Sequence, residues 1–456
     1  MIKKTFLRPP LPVILAGLFT AACLTLFFKQ VDMKPRVEEN FFFSSEDPQF
    51  KADRMISEIF PQPPQIILSA RGPIESPEYF QRIHALSEKL ASFPEVFSVQ
   101  SLSHGPEDLK DALKSPLWKR ILVSQDGESS FVSVFIEDVP AEVIVPKIEA
   151  VREEFEGPDF QLMISGAPYI IELIRRNLAR DLQIFSLAAF VIFGIMLFFI
   201  FRAPGILLGM LISCLNASAL TLVLTQFLHI EVGPLTANLS TIVFVLTLSP
   251  MVFITFNWRK AVKEAGPDKK GVVKEALRRT FGASFWSMAT TFVGFASLLF
   301  VAATPLRQLG IAGSLGTFIA FCSAYILYPG FLQWEGVIAA KSEKIEPPLK
   351  MSIEPVSKKR PTGVVMGLFV ATAVAALGLW RVNTDPDLIS YFKKGSELRR
   401  GLEYIDENGG SSPLKLVVSD TQERKFNTGE GYQRLLKLHM ALEEHPSVGN
   451  AVSLPI

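Results

Sequence analysis

Apolar residues are concentrated in long stretches, and the segments between them are polar or alternate in polarity. A membrane-spanning helix needs about 20 mostly apolar residues, and each stretch is about that long. The predicted spans are Leu11–Phe28, Leu182–Phe201, Ile206–Leu228, Leu235–Phe256, Phe285–Ala302, Leu309–Leu332 and Thr362–Val382. One span therefore comes first and alone, five follow as a block, and the last is isolated.

Lysine and arginine collect before the first span, after the fourth and after the sixth. Because positively charged flanks remain cytoplasmic, all three segments are predicted to lie in the cytoplasm. Alternating the direction of successive spans reproduces these assignments and puts residues 29–180 and 383–456 outside. The sequence thus predicts a multi-pass membrane protein with a cytoplasmic N-terminus and large domains on the opposite side of the membrane.

Between the first two spans, the apolar period changes to that of short strands and amphipathic helices. The predicted order is strand 66–70, helix 77–91, strand 96–102, a helical connector, strand 131–136, helix 141–155 and strand 160–165. This order of two βαβ units is that of a ferredoxin-like α+β domain. We expect one sheet face to be buried under two helices.

A second copy of this domain begins after the seventh span. Phe80-Gln81-Arg82-Ile83 matches Tyr432-Gln433-Arg434-Leu435, and the match continues without gaps through the end of the helix and the next strand. An internal repeat explains this register better than chance similarity between two amphipathic helices. Since the second copy stops at Ile456, we expect a two-repeat architecture whose second repeat is incomplete.

These patterns divide the chain into six segments. They are a cytoplasmic tail with the first span (1–28), a periplasmic α/β domain (29–180), a five-helix block (181–334), a cytoplasmic linker (335–361), the seventh span (362–382) and the start of a second periplasmic domain (383–456).

Hydrophobic content and net charge argue against some classes of function. The chain of 456 residues is 49% hydrophobic and carries a net charge of only +1, which argues against a purely soluble protein. It also lacks the basic field that nucleic-acid binders use, so we expect no nucleic-acid partner. A nucleophile with its base, as an enzyme would need, is not evident in the sequence.

Cysteine and histidine give no sign of a metal centre. Each cysteine lies alone in an apolar run, and the histidines are scattered, with no two at metal-ligand spacing. The cysteines are Cys23, Cys214 and Cys322, and the histidines are His84, His104, His229, His439 and His445. We therefore predict no metal and no cofactor. Thr20-Ala21-Ala22-Cys23 leaves a cleaved signal as the alternative to a retained first span.

Four local motifs carry a resemblance to a known family. Gly166-Ala167-Pro168 precedes the second span, Ser287–Leu298 lies in the fifth, Pro305–Gly310 forms the turn into the sixth, and Tyr328–Leu332 closes the sixth. With the order of spans, they resemble the MmpL and hopanoid-exporter branch of the resistance-nodulation-division (RND) superfamily, and the five-span block resembles a sterol-sensing domain. The resemblance implies a polytopic α-helical exporter of a bacterial inner membrane with porter-type periplasmic domains, driven by the proton-motive force.

Small residues in the fifth and sixth spans are expected to let helices approach closely, because lipid provides no hydrophobic drive for association. They are Gly294, Ala296, Ser297, Gly310, Gly313 and Gly316. Thr290 and Thr291 can bond to their own helix backbone, so packing is as good an interpretation as a conduction role.

The fourth span departs from the family pattern. Members of the resembled family carry an Asp-Tyr pair where this chain has Ser249-Pro250, and the interiors of spans two to six lack acidic and basic residues. We consider Ser249, Pro250, Asn216 and Asn238 the candidate transport or coupling residues, since polar groups and freed carbonyls in a bundle can serve ions or substrates. Packing or interhelical bonding is the alternative for each.

Three explanations for the missing carboxylate remain open. The proton relay lies in a second repeat, another energy source is used, or the protein is a passive lipid conduit or sensor. The leading hypothesis is an exporter of hydrophobic or lipid-like substrates, and the alternative is a lipid or sterol-type sensor or scaffold on the same membrane block. The expected partners are membrane lipids or hydrophobic small molecules, with a homo-oligomer or periplasmic proteins as further possibilities.

Overall fold

The computed structural model describes residues 10–31, 48–61, 63–106, 113–230, 233, 235–236, 238–265, 271–342, 361–381, 392–408, 416–420, 422, 424–445, 448 and 451–453. The chain forms two compact units. The helical unit comprises Met1–Arg36 and Asn177–Asp385, and the α/β unit comprises Val37–Arg176 and Pro386–Ile456.

Numbered in chain order, the helices among these residues are α1 Leu11–Gln30, α2 Pro48–Ile59, α3 Pro77–Ala91, α4 Pro116–Leu122, α5 Ala141–Phe155, α6 Ala167–Phe201, α7 Pro204–Phe227, α8 Leu239–Ala265, α9 Val272–Ser297, α10 Thr304–Ile326, α11 Tyr328–Ser342, α12 Pro361–Leu377, α13 Glu397–Asn408 and α14 Gly429–Glu443. Short 3-10 turns follow at Leu298–Phe300 and Gly378–Arg381, and the strands are β1 Gln65–Arg71, β2 Val96–Gln100, β3 Ser129–Ile136 and β4 Gln161–Ser165.

Six of the seven predicted spans correspond to helices that are long and apolar enough, within the described part of the chain, to cross a membrane. These are α1, α6, α7, α8, α9 with its 3-10 turn, and α10 continued by α11. The seventh is helical as α12, but its apolar part, Met366–Leu377, is shorter than the others. The chain is therefore a multi-pass membrane protein by helix length and composition.

Helix ends extend beyond the apolar stretches that mark them in the sequence. Helix α6 begins at Ala167, well before the predicted Leu182, and α9 begins at Val272, before the predicted Phe285. Hydropathy marks only the part of a helix that suits lipid. Backbone hydrogen bonding continues through charged flanks, so these two starts were misplaced.

Helix α10 packs against α7, α8 and α9, and glycine makes the close contacts there. A Cβ atom added at Gly316 would lie 2.5 Å from a methyl carbon of Val243 in α8 and 3.2 Å from one of Thr221 in α7. Gly310 meets Leu298 in the same way. Gly294 differs, because no atom of the described residues lies within 4 Å of its Cβ position. The expectation that Gly294 serves close packing is therefore wrong.

We expect Gly316→Ala to destabilise the helical unit by about 1–3 kcal/mol, the usual cost of overpacking a filled interior. The reason is that Val243 is fully buried and has little room to move away. Thermal denaturation of the purified chain in detergent measures the effect. Gly294→Ala is the matched control in a helix of the same unit, and equal melting temperatures for the two variants would contradict the assignment.

The α/β unit contains a four-stranded antiparallel sheet in the order β2-β3-β1-β4. One face presents apolar side chains from the two central strands, including the fully buried Leu68, Val132 and Val134. Helices α3 and α5 contact each other, and α3 contacts β2 and β3. Every strand and helix predicted between the first two spans is present, and the strand ends differ from the predicted ones by at most two residues.

Helix α13, from far along the chain, packs on β4 of the same sheet. Ile405 joins Ile67 and Phe131 in one buried apolar cluster. The hydroxyl of Tyr404 donates a hydrogen bond to Asp126 (2.9 Å). Burial alone would raise the pKa of Asp126, but hydrogen bonds from Ser124, from a backbone amide and from Tyr404 outweigh it and lower that pKa. The second sheet face is thus partly covered, which the sequence did not predict.

Helix α14 repeats α3 in detail. Its first and last residues, Gly429 and Glu443, are those that align with Pro77 and Ala91 in the internal repeat. The N-terminal caps match as well, because Ser76 accepts a hydrogen bond from the amide of Tyr79 and Thr428 accepts one from the amide of Gly431. The aligned pairs Ser87–Ser101 and His439–Ser453 are both hydrogen bonded. In the segment predicted to form the strand after α14, residues 448 and 451–453 form no strand, and residues 449, 450 and 454 lie outside the described residues.

The start of α6 is fixed by one glycine and one buried carboxylate. Gly166 has φ +116°, and a Cβ atom there would lie 2.6 Å from the carbonyl oxygen of Gln65, so only glycine fits. Six residues further along, Glu172 is 1% exposed and accepts hydrogen bonds from Arg175 and Arg176. Arg176 also bonds Glu149 of α5. The ion pairs therefore hold α6 against α5.

Candidate functional site in the helical unit

A cavity of about 180 Å³ lies between α8, α9 and α10 of the helical unit. Its lining residues are Leu246, Ser249, Pro250, Phe253, Asn257, Arg279, Thr280, Ala283, Ser284, Ser287, Met288, Thr291, Thr317 and Phe321. Ser249, Phe253 and Ser287 are exposed, so the cavity opens on the side of the helix bundle. Two of the four candidate residues, Ser249 and Pro250, thus lie on one cavity wall.

Pro250 lies inside α8 and changes its hydrogen bonding at the cavity. Proline has no N–H, so the carbonyl of Leu246, one turn earlier, loses its helical donor. Thr247 does not replace that donor, because its hydroxyl bonds the carbonyl of Val243 (2.7 Å). The cavity wall therefore combines a freed carbonyl at Leu246 with the neighbouring hydroxyl of Ser249.

The other hydroxyl groups on the cavity wall are mostly bonded to their own helices. Thr317 donates to the carbonyl of Gly313 (2.7 Å), and Thr291 donates to that of Ser287 (3.0 Å). Such bonds satisfy the hydroxyl proton without a partner helix. The wall therefore presents acceptor oxygens and methyl groups, which suit an amphipathic molecule better than a fully charged one.

An amide and a charged side chain line the end of the cavity near the C-terminus of α8. Asn257 donates a hydrogen bond to Thr280 (2.8 Å). Arg279 is paired with Glu264 (2.7 Å) and with Glu275 (2.8 Å), so its charge is balanced. No carboxylate is among the lining side chains within the described part of the chain.

Asn216 lies elsewhere in the bundle, on α7. It is fully buried, and neither side-chain amide atom meets a partner with good hydrogen-bond geometry among the described residues. The thiol of Cys23 on α1, a weak hydrogen-bonding group, is its polar neighbour. Burying an unpaired amide costs about 1–3 kcal/mol, so packing alone does not account for an asparagine at position 216.

Asn238 does not belong to the cavity. It is exposed and directly precedes α8, where its carbonyl accepts the amide of Ile242. Twelve helical residues separate it from Pro250, about 18 Å at the rise of an α-helix. Asn238 is therefore too far from Pro250 for the two to act at one site.

Two buried charges at one end of the bundle were missed. Arg259 is 8% exposed and donates a hydrogen bond to the carbonyl of Phe201, the last residue of α6. Glu335 is also 8% exposed, and its Oε2 has no hydrogen-bond partner among the described residues. The two charges interact electrostatically. Each directly follows a tryptophan at the end of an apolar stretch, which is the sequence signal that could have identified them.

Comparisons with known proteins agree with the expected family. The model of the MMPL family matches residues 49–352, more than half of the chain. Among curated proteins, no match was found.

Among solved structures, a crystal structure of SecDF in a super-membrane-facing form is 13% identical, with a TM-score of 0.36 over 75% of this chain and 41% of that one. An X-ray structure of a heavy metal efflux pump is 10% identical, with a TM-score of 0.41 over 80% of this chain and 49% of that one. This chain thus spans less than half the length of either protein.

Proposed function

We propose that this chain, which belongs to the MMPL family, is part of an RND-type transporter that exports hydrophobic or lipid-like molecules from the inner membrane. The observation that carries this proposal is the cavity beside Ser249 and Pro250, which opens on the side of an apolar helix bundle. A molecule dissolved in the bilayer can enter such a cavity without crossing water. Phe253 and Phe321 offer apolar contacts, and the acceptor oxygens can orient a polar head.

The α/β unit completes the proposal as a ferredoxin-like, porter-type domain on the periplasmic side. Support comes from its strand order, β2-β3-β1-β4, and from the two helices in the connections β1 to β2 and β3 to β4. A sheet of this kind carries no chemistry of its own. Its role would be to receive and pass on the molecule that leaves the helices.

The energy source is proposed to be the proton-motive force, with the relay outside this cavity. A proton relay in a membrane needs an ionisable side chain, whereas the cavity offers hydroxyls, an amide and a paired arginine. We therefore assign Ser249 and Pro250 to substrate contact and place the coupling carboxylate in a second repeat.

Ser249→Trp tests the proposed function directly. The indole would fill much of the cavity, and we expect at least about a tenfold loss of binding, or about 1.4 kcal/mol. The chain is reconstituted in liposomes with a photoactivatable fatty-acyl probe, and labelled peptides are located by mass spectrometry. Probe transfer to an external acceptor is measured in the same liposomes with a proton gradient imposed.

Val245→Trp is the matched control, because Val245 is exposed on the same helix but does not line the cavity. It should label and transfer like the unchanged chain. If the probe labels no peptide of α8, α9 or α10, the cavity is not the substrate site. The same conclusion follows if Ser249→Trp does not reduce the labelling. Labelling without transfer would limit the part of this chain to substrate binding, as expected if coupling requires the carboxylate of a second repeat, whereas proton-driven transfer by this chain alone would contradict that placement of the carboxylate.

A further inference from the structure

Two histidines that are distant in sequence meet on the surface of the α/β unit. His84 lies on α3, and His104 closes a turn after β2, where Ser101 and His104 exchange backbone hydrogen bonds. Their rings are stacked with centroids 5.6 Å apart. The spacing of twenty residues gives no metal-ligand pattern in the sequence, so only the fold brings them together.

A carboxylate completes this group. Glu88 is one helical turn after His84, so both side chains project from the same face of α3. Its Oε1 is 3.0 Å from Nε2 of His104. One donor atom from each of the three residues lies within 4.8 Å of the others. A bound ion needs its ligands somewhat closer together, and rotation of two exposed side chains on one helix is sufficient to bring them there.

A chain of hydrogen bonds that begins at Nδ1 fixes the orientation of the His104 ring. Its Nδ1 lies 2.9 Å from the hydroxyl of Ser103, which lies 3.1 Å from the hydroxyl of Ser101. Ser101 in turn accepts a hydrogen bond from Ser87, and both of these are fully buried. A partner on the far ring nitrogen is what metal-binding histidines ordinarily have, because it sets the tautomer and aims the other nitrogen.

From this geometry we propose that His84, Glu88 and His104 bind a divalent transition-metal ion. Two imidazoles and one carboxylate suit Zn²⁺ or Cu²⁺, and do not suit Mg²⁺ or Ca²⁺, which take oxygen ligands. The three residues leave one position of a tetrahedral ion open to water or to a fourth ligand. The site is separate from the membrane cavity, and it does not depend on the proposed transport function.

Zinc binding by the full chain tests the site. The protein is purified in detergent with an affinity tag that contains no histidine, stripped with a chelator, and titrated with Zn²⁺ against a chromogenic competitor. We expect one site in the unchanged chain. His84→Ala and His104→Ala should each weaken it at least about tenfold, as should Glu88→Gln, and Ser103→Ala should weaken it about tenfold through the orientation of His104.

His445→Ala is the matched control, since it removes a histidine of the same unit that is not part of the group. If His104→Ala folds poorly, His84→Ala still tests whether the group binds zinc. No hydrogen bond of the His84 ring occurs among the described residues, so this substitution removes none that supports the fold. Helix content and melting temperature without zinc establish that each variant is folded. Equal zinc affinity in the unchanged chain and in folded His84→Ala would overturn the proposal, as would no binding by the unchanged chain.

Discussion

Replacing Arg259 with methionine should destabilise the helical unit by about 3 kcal/mol, the lower end for removing one partner from a buried charged group. The substitution leaves the carbonyl at the end of α6 without its donor and removes the compensating charge from Glu335. Methionine nearly preserves the volume, so a loss of packing does not explain the effect. The measurement is thermal denaturation of the purified chain in detergent.

A double-mutant cycle separates the two consequences. If Glu335 depends on Arg259, then Glu335→Gln added to Arg259→Met should recover part of the loss, and the two changes should not be additive. Arg278→Met is the control, because that side chain is 78% exposed and surface ion pairs contribute little. Equal losses for the arginine variants, or strict additivity in the cycle, would show that the buried charges do not act together.

Replacing Glu172 with alanine should destabilise the contact between α5 and α6 by about 2 kcal/mol, within the range for hydrogen bonds to charged groups. Glu172 is almost fully buried, and three hydrogen bonds from Arg175 and Arg176 end on it. The arginines are partly exposed and keep other carboxylate partners, so the loss is smaller than for an isolated buried pair.

Hydrogen exchange localises this effect to the α/β unit. A loss of about 2 kcal/mol corresponds to about a 30-fold rise in local opening, which should appear in peptides from α5 and from the start of α6. Glu153→Ala, at an exposed position of α5, should leave the same peptides protected. Unaltered protection in Glu172→Ala would mean that Glu172 is not needed for the contact, which the ion pairs of the two arginines with α5 would then maintain alone.

The sequence predicted the local elements well, because their signals are local. Long apolar stretches marked six membrane helices, and alternation with period 2 or 3.6 marked the strands and helices of the α/β unit. The internal repeat placed α14 to the residue, since Ser76 and Thr428 occupy equivalent cap positions. Family resemblance drew attention to Ser249 and Pro250, which the structure then placed on a cavity.

What could not be predicted depends on contacts between distant residues. Nothing in residues 397–408 indicates that Ile405 packs beside Ile67 and Phe131. His84 and His104 have an unremarkable spacing, and only the turn after β2 brings their rings together. Glu335 followed the last apolar residue and was therefore assigned to a linker, although helix α11 continues past it. Hydropathy describes a position's own character, whereas burial depends on its neighbours.

The docking of α13 has a consequence for biosynthesis. Tyr404 reaches Ser129 across 275 residues of chain, and that interval contains five of the long apolar helices. At about 5–20 residues per second, a ribosome needs about 15–55 s to make it. During that time Ile67 and Phe131 of the sheet remain uncovered by α13, while successive spans enter the membrane. The newly made domain is therefore an apolar, incomplete substrate for chaperones until the later helix emerges to cover it.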